Sequence, residues 1–479
     1  MVQKYLSYIS HARLHSSDDE LEALPTKQVL LWGGLLLLLT LLATVSYYLY
    51  RPYAELTADT PGYLRFAQQL RTTGNPINVF RLPTYPLFLL VISFFTGPDN
   101  LFAVSIVQGL LFILAVLEFY LLAILLFRHS WIAFCISVLV GTNVILISYS
   151  KVLMTEGLAL WLLITSLLLA VSSMRTGNVR RLKWLAVCLA LLFFTRPEWA
   201  SFPVLLFAYL LWARYRRGNV RPWLSGIVRA VAVLYVLLGI YICCNFFINH
   251  YFGLTYVENM NLIGKVMQYQ MQNEVPSGYE HIRRIIDSNV TYSHLTPYQL
   301  VAKYPELGQN NARPLGDFAR AIIWRHPFEF VGKTIPLLFE SLTSYYPVST
   351  LPAPSVAPQP AWIEQIVASL FSFHRALYAG NVLFPYCSII WLGLLCWPRT
   401  RKRLSVQGMG LIVMTAWFAL VLTTLGGYFL SDYMRVHIVF DALIILTVWG
   451  AILYVPSIFF ELLIAQIPDR MNIQGAPQR

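Results

Sequence analysis

Long apolar runs separated by short polar stretches dominate the chain, and their lengths set the first expectation. Ten of them, at roughly 29–50, 101–127, 131–150, 154–173, 183–195, 199–213, 224–247, 376–397, 407–430 and 436–460, read as membrane spans. A helix needs about 20 apolar residues to cross the hydrocarbon layer. The first run, Val29–Tyr50, is followed by no small-residue cleavage site, so it reads as a retained span rather than a signal peptide. Leu87–Thr96 is apolar but too short to cross, and reads as a surface or re-entrant helix. The runs 183–195 and 199–213 are short as well, and meet at Thr195-Arg196-Pro197-Glu198. A hairpin of two short spans keeps the basic loops on either side of them in one compartment. The predicted class is an all-α polytopic membrane protein.

The polar stretches then divide the chain. Residues 1–28 read as a cytoplasmic tail, 29–247 as a transmembrane module containing a first outside loop at 51–98, and 248–375 as a long extracytoplasmic segment. Residues 376–460 supply the last spans and 461–479 a second cytoplasmic tail. In the 248–375 segment, helical patches such as Leu315–Trp324 and Phe328–Tyr345 suggest a cap that folds down onto the membrane mouth. Ser349–Pro360 reads as an extended proline-rich linker. Asn289-Val290-Thr291 matches a glycosylation sequon, a short pattern that is frequently fortuitous.

The loop at 51–98 is unlike a mere connector, since it holds Arg51, Arg65, Arg71 and Arg81 between two apolar runs. Thr60-Pro61 reads as a helix start and Gly74 as the stop. Between them Tyr63, Phe66, Ala67 and Leu70 share one face, with Arg65, Gln68 and Gln69 opposite. That pattern predicts a short helix lying flat on the membrane surface, half in and half out.

Composition agrees with the pattern: 57% of residues are apolar, 12% are charged, and the net charge is +12. With the N-terminus cytoplasmic, the basic groups Arg175–Lys183, Arg214–Arg229 and Arg399–Arg403 all fall inside, and they carry the excess. The basic balance therefore reports topology, and no nucleic-acid partner is needed to explain it. The six cysteines lie in apolar runs without metal-ligand or redox spacing.

With this topology, several charged residues map to one outer face. Asp59 stands just before the loop helix, where the helix dipole favours its ionised form. Arg81 precedes Leu82-Pro83-Thr84-Tyr85-Pro86, and Glu156 opens a span. Arg196 and Glu198 lie at the break of the short hairpin, where charges are expensive and usually functional. Asp432 and Arg435 belong to the last outside loop, and Asp441 lies deeper, within reach of an arginine. Glu118 offers only a buried polar contact, and His326 only a lone loop imidazole. Each of these residues also has a plain structural reading: helix-start acids, snorkelling or anchoring arginines, an Arg196–Glu198 brace. Taken together, acids and arginines at one membrane face suit a lipid-linked phosphosugar. Arginine forks grip phosphate and a carboxylate can take a proton from a hydroxyl.

At these residues the chain resembles the GT-C superfamily of polytopic glycosyltransferases. It is most similar to the family 39-like group of protein O-mannosyltransferases and bacterial aminoarabinose transferases. The carriers are ADTPGYLRFA with Asp59 and Tyr63, RLPTYPLFLL with Arg81 and Tyr85, and TEGLALWLL with Glu156. TRPE with Arg196 and Glu198 follows, then DYMRVHIVFDALIIL with Asp432 and Arg435. The resemblance covers about 30–210 and, more weakly, 426–445. It implies surface helices in the first outside loop, a base at Asp59, a carrier-phosphate grip at Arg81 and a second cavity acid at Glu156. Three departures stand out: one loop acid instead of an adjacent Asp-Glu pair, Glu where relatives often carry Asp, and no large added outer domain. Neither a protein acceptor nor a metal therefore follows from the resemblance.

The expected activity is an inverting transfer of a sugar from a polyprenyl-phosphate donor to a hydroxyl of a glycan, lipid or protein acceptor, on the extracytoplasmic side of a bacterial plasma membrane. Asp59 and Glu156 are the expected catalytic residues, with Arg81, Arg435 and Arg196 on the donor phosphate. Tyr63, Tyr85, Glu198 and Asp432 are expected to line the cavity. No cofactor motif is present, and a divalent cation is the one addition that Glu156 and Glu198 could orient. Two other classes fit the same features, a transporter or flippase of lipid-linked saccharides and a non-catalytic assembly subunit. A transporter usually shows repeated halves, whereas here the halves differ and the polar cluster is one-sided.

Overall fold

The computed structural model describes residues 26–216, 220–275, 277–289, 296–344, 350–352, 358–427 and 435–464. Regular structure among them is helical. In order these helices are α1 (Thr26–Tyr50), α2 (Thr60–Thr73), α3 (Thr84–Thr96), α4 (Leu101–Phe127), α5 (Ser130–Gly141), α6 (Val144–Lys151) and α7 (Glu156–Thr176). There follow α8 (Arg181–Phe193), α9 (Phe202–Tyr215), α10 (Arg221–Asn249), α11 (Val257–Gln268), α12 (Glu280–Asn289) and α13 (Pro297–Lys303). The last are α14 (Gln309–Arg325), α15 (Pro327–Thr343), α16 (Ala361–Gly380), α17 (Phe384–Cys396), α18 (Leu404–Gly426) and α19 (Asp441–Ile464).

Seven segments among the described residues are long and apolar enough to cross a membrane: α1, α4, α7, α10, α16 with α17, α18, and most of α19. The chain is a polytopic membrane protein. The pair α5 and α6 makes an eighth if it crosses as one broken span; it bends by 54° where Asn143 caps the second helix by accepting from the Ile145 and Leu146 amides. The remaining two expected spans are the helices α8 and α9, of 13 and 14 residues, joined by a 3-10 turn at Pro197–Ser201. Each is shorter than a crossing requires and neither is among the crossing segments, while the expected break between them is present at Pro197–Ser201. The span expected at 376–397 begins earlier, at Ala361, because Glu364, His374 and Arg375 interrupt the apolar run without ending the helix.

The main core joins α4, α7, α8, α18 and α19, with fully buried Phe112, Phe119, Phe202 and Trp391. The loop helices sit at one end of this bundle. Gly74 stops α2 in the left-handed conformation (φ 67°), which a glycine adopts without steric cost. The apolar face of α2 meets protein rather than lipid: Tyr63 and Phe66 are buried, and α2 packs along α3. It is α3 that leaves Leu87, Val91, Phe94 and Phe95 exposed. Burial on α3 gives the α2 face the same dry surroundings that the hydrocarbon would, so periodicity alone cannot separate the two.

Residues 256–330 build a second, smaller core from Met260, Ile263, Ile286, Leu300, Phe318 and Ile322. This unit meets the first loop where the Tyr256 amide donates to the Val79 carbonyl at 2.9 Å and Phe80 stacks on Tyr256, ring centroids 5.3 Å apart. It therefore lies at the same end of the bundle as α2. Val290 and Thr291 of the sequon, and part of the proline-rich linker, lie outside the described residues.

A Cβ at Gly141, beside the bend, would collide with Thr40 Oγ1 and lie 3.0 Å from Val116 Cγ1. Gly141→Val is expected to destabilise the fold by about 1–3 kcal/mol through overpacking. Gly34→Ala, where a Cβ meets open space, should leave the midpoint unchanged or slightly raised. Thermal unfolding in detergent checks both.

Candidate functional site

Three local devices bring the charged residues together. The first clips the loop to the break between α6 and α7. The Leu153 amide donates to the Glu55 carbonyl at 3.1 Å, and Thr60 Oγ1 donates to the Leu153 carbonyl at 3.1 Å. Next, Gln108 of α4 donates to the Ser150 and Val152 carbonyls at 2.8 and 2.7 Å, satisfying backbone that no helix covers. Its Oε1 accepts from the Tyr85 hydroxyl at 2.8 Å, which ties in α3. The third device is Lys151, fully buried, whose ammonium donates to the Arg51 carbonyl amid the rings of Tyr47, Tyr48 and Tyr53. Glu55, buried nearby, accepts from the Tyr47 hydroxyl at 3.3 Å. Burial raises its carboxyl pKa against the opposing pull of Lys151 and Arg51.

Held this way, six charged side chains form one alternating series. Arg81 Nη2 reaches Asp59 Oδ1 at 2.6 Å, and Arg435 Nη1 reaches Asp59 Oδ2 at 2.5 Å. Arg435 Nε lies 3.4 Å from Glu156 Oε1, which also receives Arg196 Nη1 at 3.0 Å. Arg196 Nε closes the series on Glu198 Oε1 at 2.5 Å. Three arginines and three carboxylates thus neutralise one another at the bundle's end. Glu156 is 1% exposed, whereas the Asp59 and Arg435 side chains are partly exposed, at 28% and 32%.

The series has aromatic walls. Arg81 lies over the rings of Tyr63 and Phe80, 4.4 and 4.3 Å from their centroids, and donates to the Tyr63 hydroxyl at 3.3 Å. Tyr63 in turn meets Tyr85 edge-on at 5.0 Å. Gly62 leaves room for the guanidinium, since a Cβ there would stand 3.2 Å from Arg81 Nε. Burial alone would raise the Asp59 carboxyl, but Arg435 and then Arg81 outweigh it and hold it at about 2, below its ordinary 3.8. Although Asp59 precedes α2, its side chain makes no capping hydrogen bond to the helix.

No family model matches the chain. Nor does any curated protein match its sequence. Among solved structures, the chain is similar to an oligosaccharyltransferase from Archaeoglobus fulgidus. Its complex with Zn and sulfate matches at 10% identity and TM-score 0.43, covering 89% of this chain and 51% of the archaeal one. The apo form gives 11%, 0.45, 90% and 52% in the same order. The complex with an inhibitory peptide and a dolichol-phosphate gives 12%, 0.43, 94% and 52%. This chain therefore spans about half the length of those structures. Identities and scores this low assign no residue, ligand or activity here.

Of the residues singled out from the sequence, Asp59, Arg81, Glu156, Arg196, Glu198 and Arg435 meet in the series, and Tyr63 borders it. Tyr85 stands behind Tyr63, fully buried. Asp432 lies outside the described residues. Asp441 meets no arginine among the described residues: the Tyr378 hydroxyl donates to it, and His437, one turn away on the same face, presents Nδ1 to it. Glu118 makes the expected buried contact, accepting from Thr165 Oγ1 at 2.5 Å and Trp161 Nε1 at 3.4 Å. His326 pairs with Glu274 at 3.4 Å, away from the series. No group of three or more metal-binding side chains occurs among the described residues. Sequence reasoning passed over Gln108, Glu55 and Lys151. A lone glutamine inside the apolar run 101–127 was the signal for the first.

Along α9 and α10 runs a wide-open apolar groove of about 620 Å³, lined by Ala200, Val204, Leu205, Ala208, Tyr235 and Leu238. Its rim at Ala200 belongs to the same 3-10 turn as Glu198.

Among the described residues, Arg196→Ala would leave the buried Glu156 with only the longer ionic contact to Arg435 and Glu198 with no cation, and is expected to cost about 3 kcal/mol. Thermal unfolding of the variant in detergent checks this. Asp59 adds stability that is complete above its ordinary pKa of 3.8 and lost as pH falls toward about 2. Over that window the unfolding midpoint of the wild type should fall more steeply than that of Asp59→Asn.

Proposed function

We propose that the chain is a membrane glycosyltransferase of the GT-C type, moving a sugar from a lipid-linked phosphate donor to an acceptor hydroxyl with inversion. The observation that carries this reading is the grip of Arg81 and Arg435 on the two oxygens of Asp59 in the charge series. Two guanidinium groups converging on one acid form a ready phosphate site, and the acid between them is the group a phosphate displaces. The order and spacing of the sequence fragments that resemble the GT-C superfamily support the same reading.

In this mechanism the donor phosphate engages Arg81 and Arg435, with Arg196 behind them, and the lipid chain follows the apolar groove along α9. While it is paired with two arginines, Asp59 is a weak base. Once the phosphate takes their charge, the carboxylate regains basicity and removes the acceptor proton. The acceptor oxygen attacks the anomeric carbon as the bond to the phosphate oxygen breaks, which inverts the configuration. The departing lipid phosphate stays neutralised by the arginines. Glu156 and Glu198 orient Arg435 and Arg196, and with Tyr63 they face the sugar or acceptor. The resemblance supports a polyprenyl phosphate as carrier and a bacterial plasma membrane as the setting, and the basic-loop asymmetry supports a site that faces away from the cytoplasm.

The test is release of free polyprenyl phosphate from a panel of polyprenyl-phosphate sugars by purified protein, with and without acceptors. Acceptor-dependent release by the wild type, reduced by about 100-fold or more in Asp59→Asn and Arg81→Ala, is expected. If no donor is consumed while lipid-linked sugar crosses proteoliposomes, the series is a transport site instead.

A further inference from the structure

Helix α15 carries three distinct faces. At about 100° per residue, Phe330, Leu337, Thr334 and Ser341 gather on one side, and this side is turned to protein, with Phe330, Thr334 and Ser341 buried. Glu329, Lys333 and Glu340 form a second, polar stripe, with Lys333 Nζ 2.7 Å from Glu329. Phe328, Val331, Ile335 and Phe339 form a third stripe, apolar yet exposed, and Phe328 is 92% exposed. Just before the helix, Trp324 is 82% exposed. A soluble surface rarely leaves such a row uncovered.

The place of α15 in the fold says what covers it. The helix packs against the end of α18, against α16, and against the short turn Asn381–Leu383 that interrupts the span Ala361–Cys396. Leu342 joins the main bundle core, while Leu337 and Leu425, from the last turn of α18, pack on the smaller core. From that turn onward the crossing segment exposes Val382, Leu383, Tyr386 and Ile389, the surface it turns to lipid. The apolar stripe of α15 thus adjoins the lipid-facing band, and its charged stripe is turned well away.

We propose that α15 is an interfacial helix, lying in the headgroup region with Phe328, Val331, Ile335 and Phe339 in the acyl boundary and Trp324 as an aromatic anchor. The charged stripe faces water, and the buried face with Phe330 and Leu337 holds the smaller helical unit. Residues 256–343 are thereby fastened to the bilayer directly as well as through Phe80 and α18. The occupant is the lipid surface itself, and the inference stands apart from the catalytic reading above.

Spin labels on single cysteines in a chain freed of its six native cysteines, reconstituted in nanodiscs of phosphatidylcholine and phosphatidylglycerol, test it. Labels at Phe328→Cys, Ile335→Cys and Phe339→Cys should collide more with oxygen than with a nickel chelate. Labels at Glu329→Cys and Glu340→Cys should do the reverse. Equal or greater access of the nickel chelate to the apolar stripe overturns the proposal. Shielding of that stripe from both reagents also overturns it, in favour of a protein partner or a second copy. Should the cysteine-free chain fail to fold, bromine-labelled lipids serve with the native cysteines in place. The emission lost on Trp324→Phe should be the part that these lipids quench; an unquenched difference spectrum overturns the proposal.

Discussion

Charges at the rim of an apolar bundle must be neutralised locally, and the alternating series from Arg81 to Glu198 meets that demand. Each carboxylate lies against at least one guanidinium and each guanidinium against at least one carboxylate. Removing a member leaves its neighbour charged in poorly solvated surroundings, where the penalty is several kcal/mol. The loop at 51–60, the stretch before α3 that bears Arg81, the start of α7 at Glu156, the turn at 196–201 and the helical turn at Arg435 are bridged by this series.

Unusual polar residues deeper in the protein support these segments. Breaking the helix between α6 and α7 exposes carbonyls that hydrocarbon cannot satisfy, and Gln108 satisfies two of them. Lys151 donates to the Arg51 carbonyl and lies among three tyrosine rings, which fixes the start of the loop that bears Asp59. The same series is closed on itself, so an anionic ligand must compete with the protein's own carboxylates.

Much of this arrangement was legible before the fold was known, for an energetic reason. A charged residue beside an apolar run is costly, so Asp59, Arg81, Glu156, Arg196, Glu198 and Arg435 stand out without any knowledge of contacts. Neutral or aromatic-shielded groups give no such signal. Gln108 lies unmarked in a long apolar helix, and Lys151 resembles an ordinary residue at a span's end. The surface of α2 was misjudged for a related reason: Tyr63 and Phe66 show the same periodicity whether they meet lipid or α3. Asp441 was linked to an arginine on depth alone, but the helical spacing to His437 and the approach of Tyr378 decide its partners.

The sequence by itself determined the membrane class, the places of most crossing helices, the break at Arg196–Glu198 and the set of costly charges. These depend on local composition, because the free energy of placing a segment in lipid is close to a sum over its own residues. Only the tertiary structure decided which charges pair, which helix faces protein and which faces lipid. Arg435 and Asp59 stand 376 residues apart in the chain and 2.5 Å apart in the fold. Coulomb attraction depends on that second distance, which no local reading of the residues contains.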